Sequence, residues 1–439
     1  MKKKCSRFPP YVVFVSLVAS LGAFLFGYQT AIISGALLFI TNEFGLSVFQ
    51  QEVLVSSILI GCTIGALSGG VLADLVGRKK TLMLTVILFL IGTFVISSAA
   101  DFGALMTGRL ITGAAIGVAS LTVPLYIAEI SPPESRGMLV SLNQLMITIG
   151  ILISFIISYY FAAGKDWRAM FAVAYIPALI QFCGLFFVSE TPSWLLSKNS
   201  IEGALRVSQR LCIPLPEERV DKDESRGFRS LFDSKIRMPV LIGIGISVFQ
   251  QITGINTVIY YAPRIFQLAG YSSAETAIFA TIWLGVVNLV MTFVGLFLVD
   301  RVGRRKLALS GLLGMAVSLA VLGVSFLIHA DQVGWIAVAS LLAYITFFAT
   351  GMGIVTWLLI SEIYPLAIRG RAMSIATFAN WASNYFVSLT FLSMVEYLTV
   401  GGAYLFYTAI CLLGIWFVRE MVPETKGKTF AEIEKFWKN

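Results

Sequence analysis

Apolar residues along this chain come in long unbroken runs, not in an alternating pattern. Twelve runs can be marked, at about 11–36, 53–75, 81–100, 104–128, 138–162, 169–188, 239–263, 275–299, 307–328, 333–360, 372–394 and 401–419. A helix needs about 20 mostly apolar residues to cross a bilayer, and only helices and closed barrels satisfy their backbone groups there. Barrel strands would alternate over about ten residues, so continuous runs of this length predict helices. The first run is too long for a signal-peptide core, has no small-residue cleavage site and is followed by more runs, so it reads as retained. Short polar loops join the runs, with one long exception at 189–238. That stretch is charged, is interrupted by Pro214 and Pro216, and carries helical patterning over Ile201–Leu211.

Composition carries the same message. The 439 residues are 57% hydrophobic and 13% charged, with a mean hydropathy of +0.85. A soluble globule carries about 25% charge, so the apolar surface must face lipid. His329 is the single histidine, which removes histidine-based catalysis and clustered histidine ligands. Cys5, Cys62, Cys183, Cys212 and Cys411 are scattered without metal or redox spacing. The spans lack paired acids, and no phosphate-binding Gly-x-x-x-x-Gly-Lys-Ser/Thr loop occurs. Catalytic residues, metals and cofactors are therefore not expected, and the chain does not read as an enzyme.

The net charge of +8 is set by placement. If the N-terminus is cytoplasmic, all 32 basic residues except Arg109, Lys165, Arg168 and Arg264 fall on the cytoplasmic side. This asymmetry predicts that both termini are inside, requires an even number of spans, and accounts for the charge without a nucleic-acid partner. No Asn-x-Ser/Thr acceptor occurs, in keeping with a bacterial plasma (inner) membrane.

The chain repeats itself. Asp74-Leu75-Val76-Gly77-Arg78-Lys79 returns as Asp300-Arg301-Val302-Gly303-Arg304-Arg305, at an offset of 226. Glu129, Pro132, Arg136 and Gly137 return as Glu362, Pro365, Arg369 and Gly370 at 233, and Glu190-Thr191 as Glu424-Thr425 at 234. The expected architecture is an all-α membrane protein of two pseudo-symmetric six-helix bundles facing each other across a midplane cavity, as in alternating-access transporters. The expected domains are 1–188, a linker with short helices at 189–238, 239–419, and a cytoplasmic tail at 420–439. Asp74, Arg78, Glu129, Arg136 and Glu190, with their counterparts Asp300, Arg304, Glu362, Arg369 and Glu424, are expected to form ion pairs that latch the bundles on the cytoplasmic side. Loops that only set topology and anchor headgroups are the plainer alternative.

The motifs also carry a resemblance. Gly-Arg-Lys-Lys after span two, PESRG at 133–137, SETPSWLL at 189–196, QQITGINTVIYYAP at 250–263, DRVGRR at 300–305 and PETKG at 423–427 together resemble the sugar porter family of the major facilitator superfamily. That family includes bacterial sugar–proton symporters and facilitative glucose transporters. The resemblance covers essentially the whole chain and implies a monosaccharide cargo, a hexose or pentose such as glucose or xylose. It implies sugar contacts at Gln144, Gln250, Gln251, Asn256, Asn288, Trp357 and Asn380, and an extracellular gate at Tyr260 and Tyr261. Intramembrane amides and aromatic walls suit sugar hydroxyls and C–H faces, which also brings in Trp381 beside Asn380. A straight helix could not aim Gln250, Gln251 and Asn256 into one cavity, because they spread by about 100° and then about 140°. A local break at Gly254 is therefore expected, while some amides could instead tie helices together.

Three positions depart from the family. Gln29 stands where proton-coupled members carry aspartate, while its partner position holds arginine, Arg109. A glutamine cannot take up and release a proton near neutral pH. Ser193 replaces an arginine of the linker motif, and Ile151 replaces a glutamine in span five. Span ten lacks proline, so Gly351 and Gly353 must supply any bend. The expectation is a facilitative sugar uniporter, acting as a monomer in a lipid bilayer. Two alternatives stay open: a sugar–proton symporter that couples elsewhere or whose coupling residue has been replaced, and, more distantly, a transport-fold sugar sensor.

Overall fold

The computed structural model describes residues 9–133, 135–215, 237–330, 332–364 and 369–428, with the backbone alone at 369 and 370. Among these residues every regular element is a helix. The first predicted span becomes α1 (Pro10–Ala31) and α2 (Ile33–Phe44). Spans two to five are α3 (Val48–Val76), α4 (Arg78–Ser97), α5 (Phe102–Ile130) and α6 (Arg136–Ala162). Span six divides into α7 (Trp167–Ala172) and α8 (Tyr175–Phe186). The linker holds α9 (Pro192–Ser197) and α10 (Ile201–Leu211), the latter as its periodicity predicts; 216–236 lie outside the described residues.

Span seven divides into α11 (Arg237–Ile252) and α12 (Ile255–Leu268). Spans eight and nine are α13 (Ala274–Val302) and α14 (Arg304–Leu327), and span ten divides into α15 (Val333–Thr350) and α16 (Met352–Glu362). The last element, α17 (Arg369–Met421), contains both remaining spans, with a kink at Thr399 (φ 64°, ψ 167°) between them. Eleven of these segments are long and apolar enough to cross a membrane, and the kink in α17 brings the spans to twelve.

Lipid-facing and protein-facing surfaces separate as the composition requires. Leu67, Phe94, Phe297 and Trp416 are each at least 60% exposed on otherwise apolar helices. The inward faces pack through small residues. A Cβ added at Gly61 or Gly65 of α3 would lie 2.3 or 2.2 Å from backbone oxygens of α5. Close backbone approach through small residues is how helices associate where no water is present to drive them together.

The described residues form two compact units. Among the described residues, one draws on 9–32, 57–157 and 166–215, the other on 33–56, 158–165 and 237–428. The last division between the units falls inside 189–238, and two short segments also cross over earlier in the chain. Segments 33–56 and 158–165 pack with the second unit, where α2 lies on α12, and 189–215 pack with the first.

Two breaks shape the second unit. Gly254 takes φ +94°, a left-handed conformation that ends α11 and restarts the chain as α12. The Thr253 carbonyl at this break accepts a hydrogen bond from the Tyr344 hydroxyl at 3.0 Å. Gly351 (φ −107°, ψ −103°) makes the second break, and a Cβ there would lie 2.8 Å from the Gly311 Cα. Gly254→Ala should cost about 1–2 kcal/mol, the penalty of a left-handed L-residue, with a Cβ already 3.0 Å from the Tyr407 ring. Tyr344→Phe, which leaves the Thr253 carbonyl without that donor, should cost about 1–3 kcal/mol. Thermal melting of the purified protein in detergent checks both.

Candidate functional site

The break at Gly254 solves the angular conflict among the span-seven amides. Asn256 turns back so that its Nδ2 donates to Gln251 Oε1 at 2.5 Å. Gln251 Nε2 donates to Asn380 Oδ1 at 3.0 Å, and Asn380 Nδ2 donates to Gln250 Oε1 at 2.7 Å and to the Ser247 carbonyl at 2.9 Å. Gln250 Nε2 donates to the Met352 carbonyl at 3.1 Å, at the other helix break. Gln250, Gln251, Asn256 and Asn380 thus form one network from α11, α12 and α17, anchored to the start of α16. Asn288 on α13 is 8% exposed, and its side chain makes no hydrogen bond among the described residues. Trp357 on α16 is 38% exposed, whereas Trp381 is buried. The span-seven tyrosines are both buried. Tyr261 donates to the Ser388 carbonyl at 2.8 Å, and Tyr260 accepts from Asn384 Nδ2 at 3.4 Å.

The first unit holds the remaining predicted positions. Gln144 on α6 is half-buried and makes no side-chain hydrogen bond among the described residues. Gln29 on α1 is fully buried, and its Nε2 donates to Thr93 Oγ1 at 3.0 Å. Arg109 on α5, 1% exposed, donates from Nη1 to the Gln29 backbone carbonyl at 2.9 Å. Gln29 Oε1 is buried without a hydrogen-bond partner among the described residues.

The repeated charged motifs have the same geometry in both units. Gly77 (φ 101°) exposes the first N–H groups of α4 to the Glu190 carboxylate, with Arg78 N–H to Oε1 at 3.0 Å and Lys79 N–H to Oε2 at 3.1 Å. Gly303 (φ 102°) does the same for α14 and Glu424, with Arg304 N–H to Oε1 at 2.9 Å and Arg305 N–H to Oε2 at 3.1 Å. A Cβ at Gly77 would lie 2.4 Å from the Glu190 carboxylate, so this approach needs glycine. An anion at a helix N-terminus is held by free N–H groups and the helix dipole. Arg78 bridges Asp74 at 3.0 Å and Glu129 at 3.2 Å, and Arg304 bridges Asp300 at 3.2 Å and Glu362 at 3.0 Å.

Each network closes inside its own unit, as a clamp on that unit's helix ends. Arg136 does not join it: its side chain is exposed and makes no ion pair among the described residues. The Arg369 side chain lies outside the described residues. Burial pushes the Glu190 carboxyl above the usual carboxylate range, while N–H groups of Thr191, Lys79 and Arg78 and the Arg78 charge pull it back.

Comparison with known proteins assigns the chain. The family described as "Sugar (and other) transporter" matches residues 15–437. A D-xylose transporter of Levilactobacillus brevis is 37% identical over 96% of this chain and 94% of that protein. The galactose-proton symporter of Escherichia coli (strain K12) is 38% identical over 96% of this chain and 93% of that protein. Among solved structures, the inward-open xylose transporter XylE from E. coli matches with a TM-score of 0.83 at 36% identity, covering 97% of this chain and 100% of that one. This chain is a sugar porter of the major facilitator superfamily.

As a sugar porter it is a transporter, not an enzyme. Its sequence did not point to several residues that the fold brings to these positions. Ser247 offers a carbonyl, which no side-chain pattern advertises. Thr93 meets Gln29 from span three, where a threonine in an apolar run carries no distinguishing signal. Glu52 had a signal, as an acid at the edge of a span, but its partner Ser393 is 341 residues away. Because the clamps match, Glu190→Ala and Glu424→Ala should each cost about 1–2 kcal/mol, the usual loss of a helix N-cap. Glu190→Gln keeps an acceptor and should cost less. Parallel thermal melts of the three variants in one detergent test this.

Proposed function

We propose that this sugar porter carries a monosaccharide, a hexose or a pentose, by facilitated diffusion through alternating access, without moving a proton. The chain acts as a monomer in a bacterial inner membrane with both termini in the cytoplasm. The observation that carries the uniport reading is Gln29. The position used by proton-coupled members for a carboxylate holds an amide, fully buried and bonded to Thr93, and Arg109 is bonded to the Gln29 backbone carbonyl. Neutral amides do not titrate near neutral pH, so this site has no proton to exchange.

The second-unit amide network supports the sugar contacts. Gln250, Gln251, Asn256 and Asn380 present donors and acceptors from two helix breaks, and Asn288 and Trp357 add a polar and a flat apolar group. Gln144 is the remaining amide that the family resemblance implies as a sugar contact. Tyr260 and Tyr261 serve as the outer gate, tied to the stretch of α17 at Asn384 and Ser388. The carried sugar favours the occluded intermediate over the open states, which is what makes such transport selective.

The relative from E. coli named as a galactose-proton symporter motivates the rival reading, in which coupling uses another group. Proteoliposomes given an inward proton gradient and a panel of labelled hexoses and pentoses separate the two. Uniport predicts that each carried sugar equilibrates at equal concentration inside and outside; accumulation above the outside level overturns it. Asn380→Ala should raise the half-saturating sugar concentration roughly tenfold or more, the cost of leaving buried partners unpaired.

A further inference from the structure

Glu52 is the one carboxylate with no solvent exposure among the described residues. It sits in the first turns of α3. Its Oε1 accepts from the Ser393 backbone N–H at 2.7 Å and its Oε2 from the Ser393 hydroxyl at 2.6 Å, both on α17. Among the described residues no ion pair forms on it. The charge that reaches it from α17 is that of Glu396, which is repulsive, and Tyr407 faces it from the same helix. From α12, Arg264 lines a small cavity with the neighbouring Gln51; from α2 that cavity is lined by Asn42, beside Glu43. None of these neutralises Glu52.

The clasp belongs to a set of contacts by which 33–56 and 158–165 pack into the second unit. Gly35 and Ser158 join the two segments, so close that an added Cβ on Gly35 would be 2.5 Å from the serine Cβ, and the Tyr159 and Phe279 rings meet tilted, with centroids 5.4 Å apart. All of these contacts lie at the helix ends away from the Gly77 and Gly303 turns. In the orientation read from the basic residues, that end faces outward.

We propose that Glu52 is a proton-binding residue of the outer gate, protonated as the gate closes over it and ionised when the gate opens it to water. The proposal rests on the uniport reading above, and it makes this sugar porter a facilitator whose rate is set by outside pH. Carrying a bare carboxylate out of water, with no cation to meet it, is costly, and a proton on the carboxyl removes that cost. The neutral carboxyl keeps both contacts: its carbonyl oxygen accepts the Ser393 N–H, and its hydroxyl donates to Ser393 Oγ. The proton comes from outside water and returns there on opening, so no net proton crosses with the sugar. Acid outside therefore holds the gate shut, and a smaller outward-open population lowers both exchange rate and apparent affinity from outside.

The test is equilibrium exchange of labelled sugar in right-side-out vesicles, with equal sugar on both sides, inner pH fixed, and outer pH varied from about 5 to about 8. The wild-type rate should fall about threefold toward acid. Glu52→Gln, a permanent mimic of the neutral carboxyl, should be flat at the wild-type acid rate. A wild-type profile that is flat, or one that survives in Glu52→Gln, overturns the proposal. Should Glu52→Gln fail to fold, Ser393→Ala still decides. It keeps the N–H donor but loses the hydroxyl, so a Ser158→Cys reporter should react with an impermeant maleimide several-fold faster than with Ser393 intact; an unchanged rate overturns the proposal. Failure of the uniport reading registers separately, as accumulation under a proton gradient, which an assay at equal sugar does not score.

Discussion

In hydrocarbon there is no water to complete a hydrogen bond, so the backbone N–H and C=O groups of every span have to find partners within the protein. This constraint orders the whole chain. It forces continuous helices, and it concentrates unsatisfied groups at helix ends, where a helix leaves four N–H and four C=O groups without intrahelical partners. The sugar porter answers at two kinds of place. At the Gly77 and Gly303 turns, a carboxylate from a distant loop meets the first N–H groups of the next helix. At the break inside span seven the Tyr344 hydroxyl meets the Thr253 carbonyl, and next to the break inside span ten the Gln250 amide donates to the Met352 carbonyl.

The repeat shows how strongly the first answer is constrained. Glu190 and Glu424 are 234 positions apart, yet they accept from equivalent N–H groups at nearly equal distances. Arg78 and Arg304 likewise each bridge an aspartate one turn back and a glutamate from the end of a neighbouring helix. Similarity of motif meant similarity of geometry here because the turn has few solutions. A glycine with φ near 100° leaves room for a carboxylate where any Cβ would collide. The expected latch residues therefore hold each unit's helix ends firmly, and Arg136, on the exposed side of α6, stands apart from them.

Legibility followed the same physics. Spans could be read because hydropathy is a property of each segment by itself. The break at Gly254 could be read because three polar side chains in one helix pointed too far apart. The division of span one at Ile32 and of span six after Ala172 could not, since the residues there are as apolar as their neighbours. Span one also runs on to Phe44, beyond its apolar run, because Thr41, Asn42 and Glu43 extend a helix that packs on α12. The Glu52–Ser393 clasp and the Gln29–Thr93 bond stayed hidden for a different reason: each joins residues far apart in sequence, and nothing local announces the partner.

The amide network also bears on how such a carrier can work. Gln250, Gln251, Asn256 and Asn380 already bond one another, so a sugar hydroxyl entering the proposed site exchanges amide–amide bonds for amide–hydroxyl bonds. Each exchange has a small net yield, because a typical hydrogen bond swapped for another contributes only about 1 kcal/mol. Affinity built this way is modest but specific, since a cargo that cannot return every lost bond leaves a buried amide unpaired. Modest affinity is what a carrier needs: binding must favour the occluded state without holding the sugar so firmly that release becomes slow. The network also spans two helix breaks, from Asn256 after Gly254 to the Met352 carbonyl after Gly351. In the proposed site, recognition and closure would then draw on one set of contacts.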